Sequence, residues 1–132
     1  MNISRREFVA VMNSTAIFAA ISGCATLKGE SKVYGLIGKL RIVPGQRDVL
    51  ISILIEGVAS MPGCLSYVVA QDSTDPDAIW VTEVWDSQKS HQASLTLPSV
   101  QQAISKGKPL IAGFGERFET KPIGGHGLGA LD

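Results

Sequence analysis

The sequence lacks any apolar run of about 18 residues, so no stretch reads as a comfortable membrane-spanning helix. Cysteine is scarce: Cys24 and Cys64 could pair once, but they exclude a disulfide framework and a zinc site of repeated Cys spacing. Only His91 and His126 could add imidazole ligands, and they fall on different predicted elements, so no metal site is readable. Charge of one sign is also missing. Twelve basic residues balance twelve acidic ones, which leaves no electrostatic footprint for nucleic acid and no polybasic membrane patch. There is no Gly-x-Ser-x-Gly and no Cys/His pair of catalytic spacing. The glycines from Gly124 to Gly129 do not lead from a strand into a helix, so they form no phosphate cradle. What is present, 45% hydrophobic and 18% charged residues in 132, suits one compact domain and argues against disorder.

The N-terminus reads as an address. Arg5-Arg6 precede a short Ala-rich run that ends in Ile21-Ser22-Gly23-Cys24. A basic start, an apolar middle and small residues at the end make an export signal over residues 1–23. Arg5-Arg6-Glu7-Phe8-Val9 resembles a twin-arginine translocation signal, and Ile21 to Cys24 resembles a bacterial lipobox, which implies lipidation at Cys24. The chain is then expected in the periplasm or cell envelope, touching a membrane only through that lipid. The alternative is an amphipathic N-terminal helix that stays attached. Residues 24–31 read as a tether.

The domain proper is expected over residues 32–123, with a Gly-rich tail over 124–132. It is organised around Ala78 to Asp86, which alternates with a period of two. Ile79, Val81, Glu83 and Trp85 share one face; Trp80, Thr82, Val84 and Asp86 share the other. Before it come a strand over Val33 to Ile42, in which Gly38 leaves a gap between Leu36 and Leu40, and a helix from about Gln46 to Ser60. That helix carries Val49, Leu50, Ile53, Leu54 and Gly57/Val58 as its apolar stripe. A second strand, Cys64 to Gln71, sets Leu65, Tyr67 and Val69 on one face and leads through the turn Asp72 to Asp77. After Asp86-Ser87 the pattern predicts a helix over Lys89 to Leu95, a break at Leu97-Pro98, and a shorter helix capped by Ser99 and running through Ile104. A last strand is expected over Phe114 to Lys121.

The order β-α-β-β-α-β is that of an α+β, ferredoxin-like fold. Two helices cover one face of a four-stranded sheet, and the other face, also apolar, is most simply buried by a second copy, which predicts a homodimer. Trp85, Glu83, His91, Tyr34 and Tyr67 offer polar-tipped lining for a pocket between sheet and broken helix. Each also has a plain structural explanation. Trp85 packs, Glu83 ends a strand as a solvated or ion-paired carboxylate, His91 is a surface or capping residue of a helix, and Tyr34 and Tyr67 are ordinary strand residues.

The stretch Gly63 to Tyr67, then Trp80-Val81-Thr82-Glu83-Val84-Trp85-Asp86-Ser87, His91, Leu95 and Leu97-Pro98 resembles the antibiotic biosynthesis monooxygenase family of dimeric α/β barrels. The likeness spans Val33 to Leu128, and its sharpest element is Glu83-x-Trp85. It implies a small aromatic or quinol substrate, O₂ as oxidant and no cofactor. His91 falls where one branch of the family has a histidine, whereas others have it three residues later, at Ser94 here. Haem-degrading relatives use an asparagine in the first strand, and Val33 to Ile42 contains none. On this resemblance His91 or Glu83 serves as base, Trp85 as wall, and Tyr34 or Tyr67 as donor to the anion. The competing expectation is a non-catalytic binder of an apolar molecule or partner at the envelope.

Overall fold

The computed structural model describes residues 32–128 and 131; the residues expected to form an export signal and a tether, Cys24 among them, lie outside the described residues. The elements are β1 (Tyr34–Ile42), α1 (Arg47–Gly57), β2 (Cys64–Gln71), β3 (Ala78–Trp85), α2 (Gln88–Ser94), α3 (Pro98–Gly107) and β4 (Ile111–Thr120), with a 3₁₀ turn at Lys108–Leu110. The strands form one antiparallel sheet in the order β2-β3-β1-β4. This is the expected α+β, ferredoxin-like arrangement.

Strand pairing sorts the helix-side face into rows. Cys64, Trp85 and Tyr34 form one row; Tyr67, Glu83, Leu36 and Glu119 the next; then Val69, Val81, Gly38 and Arg117; then Gln71, Ile79, Leu40 and Phe114. The helices cover the core built from Ile42, Leu50, Ile79 and Val81. Burial of such side chains contributes about 1.5–3 kcal/mol each. The opposite face carries Ile37, Ser66, Val68, Trp80, Thr82, Val84 and Phe118, with no helix over it among the described residues.

Four details depart from the sequence reading. Leu65 does not share the face of Tyr67: the register slips between Cys64 and Ser66, so a bulge at Leu65 turns it outward and brings Cys64 round beside Trp85. In α1, Val49 is exposed, and Ile51 packs with Leu50 and Leu54 instead. The helix α3 is entered through Leu97 with Pro98 at its first position, not capped by Ser99, and it runs on to Gly107. β4 starts at Ile111, three residues early, because Ile111 already pairs with Ile42.

The turn after β2 is tied together by Asp72. Its Oδ1 accepts from the N–H groups of Thr74 and Asp75 (both 2.9 Å) and the Thr74 hydroxyl (3.0 Å). Its Oδ2 accepts from Trp80 Nε1 (2.8 Å) and faces Lys39 Nζ at 3.4 Å. The Asp75 and Thr74 N–H groups, with Trp80, hold this carboxyl well below its ordinary value of 3.8. The folded state therefore binds this proton less readily than the unfolded chain, so the stabilisation is present above about pH 4 and drains away as pH falls further. In thermal melts, the stability gap between wild type and Asp72→Asn should be constant from pH 7 to about 5 and should shrink below about 4.

Candidate functional site

The site grows from the end of β3. A period of two puts Glu83 and Trp85 on the helix-side face, and the chain then turns at Ser87 into α2. The Ser87 hydroxyl accepts from the Ser90 N–H at 3.1 Å, an N-cap that fixes the start of α2 and hence the place of His91 in its first turn. The loop before β2 locks this corner from outside. Gly63 has φ +81°, its carbonyl accepts from the Asp86 N–H at 2.8 Å, and a Cβ there would lie 2.5 Å from Ser90 Oγ. Only glycine meets both demands.

Three of the expected residues meet directly. Trp85 Nε1 donates to Glu83 Oε2 at 2.8 Å, and His91 Nε2 lies 3.6 Å from the same oxygen. The His91 ring stands edge-on to Trp85 with centroids 5.4 Å apart, and lies 5.5 Å from the ring of Tyr34. Glu83 is sheltered, its side chain 13% exposed, so it sits in a cleft rather than in solvent. Glu83 Oε1 accepts no hydrogen bond from the described residues. Ser94 also faces this corner, but its hydroxyl donates to the His91 carbonyl at 2.6 Å.

The two tyrosines part company. Tyr67 lies directly across from Glu83, and its hydroxyl has no protein partner among the described residues. Burial, then the negative charge of Glu83, pushes its pKa far above the ordinary 10, so it stays a neutral donor. Tyr34 instead turns its hydroxyl away from these groups and donates to Glu119 Oε1 on β4 at 2.9 Å; burial and that carboxylate raise its pKa as well. Cys64, brought in by the bulge, packs against the Tyr34–Leu36–Trp85 cluster. Its thiol is pushed up by burial and by Glu83, which keeps it protonated.

Around these groups lie three adjoining apolar hollows. A small one of about 130 Å³ is lined by His91, Trp85, Glu83, Tyr67 and Met61 beneath α1, α2 and α3. One of about 360 Å³ lies over Gly38 and shares Glu83 and Tyr67 with the first. The largest, about 610 Å³, runs between α1, α3 and β4 and shares Leu40 and Phe114 with the second. Glu83 and Tyr67 thus form the polar seam between a tight imidazole corner and a chamber of ligand size. The sequence reading missed Arg117 and Phe114 as chamber lining. Their only sequence signal is a weak alternation in β4 that an inserted residue interrupts.

The profile of the antibiotic biosynthesis monooxygenase family matches residues 33–106. The chain belongs to this family. A crystal structure of an antibiotic biosynthesis monooxygenase family protein from Chloroflexus aurantiacus is 71% identical, superposes with a TM-score of 0.72, and covers 74% of this chain and 99% of its own. A Pseudomonas aeruginosa protein shares the fold at 19% identity, with a TM-score of 0.62 over 73% of this chain and 100% of its own. A Synechocystis protein is 24% identical over 105 residues, 77% of this chain and 71% of its own. In this monooxygenase-family chain, the Glu83-x-Trp85 pair is one hydrogen-bonded unit.

Proposed function

We propose that this protein is a cofactor-independent monooxygenase of a quinol or other electron-rich hydroxyaromatic. The observation that carries the reading is the position of Glu83, which lines the 360 Å³ chamber and is also bound to Trp85 and adjacent to His91. A hydroxyaromatic in the chamber presents its hydroxyl to Glu83 Oε1, and the carboxylate–imidazole pair takes the proton. Tyr67, neutral and unpartnered, donates to the oxygen anion so formed. The anion passes one electron to O₂, and the resulting radical and superoxide join at a ring carbon. Loss of water from the peroxide leaves a carbonyl, so quinol plus O₂ gives hydroxyquinone plus water. Oxygen uptake with a panel of quinols tests the reading. Turnover above a protein-free control is expected, and none with any quinol overturns it. A binder without turnover would keep its affinity for an aromatic probe in the His91→Ala and Glu83→Gln variants.

The working form in this proposal is a homodimer. The sheet face that no helix of the described residues covers exposes Val68 (52%) and Phe118 (54%) beside Ile37, Trp80 and Val84, an apolar surface suited to a second copy. An obligate interface of this kind buries upwards of about 2,000 Å². Light scattering should give twice the protomer mass; a stable monomer at micromolar concentration would contradict it. We further propose export through residues 1–23 and lipid attachment at Cys24, supported by Arg5-Arg6 and Ile21-Ser22-Gly23-Cys24. Cys24→Ala should then move the protein from the membrane to the soluble fraction.

A further inference from the structure

The hollow of about 610 Å³ between α1, α3 and β4 takes no part in the proton transfer proposed above. It lies on the helix side of the sheet, whereas the proposed second copy docks on the other side. Its wall is hydrocarbon, built from Leu40, Leu50, Leu54, Ile104, Ile111 and Phe114 and filled in by alanine and glycine. Lys108 is the one charged residue along it, and Lys108 is exposed, so the ammonium stays in water while the stem covers apolar surface. Among the described residues no carboxylate, hydroxyl, amide or imidazole side chain lines this hollow. Polar atoms of an occupant would find no side-chain partner there, and burying them unpaired is unfavourable. Two large apolar side chains of the wall are left facing water: Phe114 is 75% exposed and Ile104 49%.

Two seams join the hollow to the candidate site. Leu40 and Phe114, paired across β1 and β4, line both the hollow and the 360 Å³ chamber that holds Glu83 and Tyr67. Leu54, Ala103 and Ile104 line both the hollow and the His91 corner. A place for a hydroxyl and a place for hydrocarbon thus stand side by side. The Leu40–Phe114 pair between them is a ridge over which a flexible chain bends and a rigid ring system does not.

We infer that the substrate is an amphiphile: a hydroxyaromatic head at Glu83 carries an alkyl or prenyl chain, and that chain lies in the hollow between α1, α3 and β4. This rests on the proposed hydroxyaromatic chemistry and adds the side chain and its place. The chain covers Phe114 and Ile104 and supplies binding energy remote from the reacting ring.

The test uses 4-alkylphenols from 4-ethylphenol to 4-octylphenol, which keep the hydroxyl head and vary only the chain, with equilibrium dialysis on the full chain. Affinity should rise about two- to fourfold per added methylene, as expected when each is taken out of water. Ile104→Gln puts an amide into the wall at a half-exposed helix position, so the variant should melt within a few degrees of wild type. It should bind 4-octylphenol about fivefold or more less tightly, and the rise per methylene should flatten. Phe114→Gln, also at an exposed side chain, repeats the test from β4. Affinity that ignores chain length overturns the inference. So does a rise per methylene that both variants leave intact, since the chain then binds elsewhere. Equal losses for the shortest and longest phenols overturn it too, because the substitutions would then act on the whole site. If quinols are consumed with O₂ while chain length has no effect, the hydrocarbon assignment fails and the proposed chemistry stands. If no phenol binds and no quinol is consumed, both fall.

Discussion

Glu83→Gln should slow oxidation of a hydroxyaromatic by about 10²–10⁴-fold, the range that a positioned proton-transfer group supplies. The amide has the same shape, and its oxygen can still accept from Trp85 Nε1, now 2.8 Å from the carboxylate, so the strand end should stay in place. What disappears is the ability to hold a hydroxyl proton and the charge that faces His91 at 3.6 Å. The loss should fall on kcat, with affinity for an oxidised, non-reacting quinone nearly kept, because the apolar chamber wall is untouched. Steady-state kinetics on the purified variant, with a melt alongside, separates the two. An unchanged kcat would remove Glu83 from the chemistry.

Trp85→Ala should destabilise the fold by about 3–5 kcal/mol, as expected for deletion of a large core side chain. The ring is 1% exposed and anchors the cluster with Tyr34 and Leu36 that Met61 and Cys64 close over. It also gives Glu83 its only N–H donor among the described residues and gives His91 an edge-on neighbour. Trp85→Phe divides these roles. It restores most of the packing, so urea unfolding should recover most of the lost stability. It cannot donate to Glu83, so turnover should stay well below wild type. If Trp85→Phe is as active as wild type, the indole N–H has no part in positioning the carboxylate.

How much of this was legible follows from where the determinants lie. The β2–β3 hairpin was readable because Ala78 to Asp86 alternates cleanly and Asp72 to Asp77 is dense in residues that bond their own backbone. Period two also placed Glu83 and Trp85 on one face, and Pro98 marked the helix break. The bulge at Leu65 was not readable, since an extra residue in a strand leaves no chemical signature, yet it decides that Cys64 joins the site. Tyr34 could be grouped with Leu36 and Leu40 on one strand face, but which face the helices cover was open in the sequence, and its partner Glu119 depends on a β1–β4 register 85 residues apart in sequence. Gly38 showed as a gap between Leu36 and Leu40. That the gap is a ligand-sized floor emerges only once β3 and β4 stand on either side of it.

The reaction itself is tested most directly by turnover under ¹⁸O₂ with a quinol that the protein consumes, followed by mass spectrometry of the product. The account predicts a hydroxyquinone carrying one labelled oxygen, the second labelled atom leaving as water, and the same product formed far more slowly by Glu83→Gln. An unlabelled quinone with hydrogen peroxide as the only reduced oxygen species would mean that electrons leave the substrate without oxygen entering it, and would contradict a monooxygenase at Glu83.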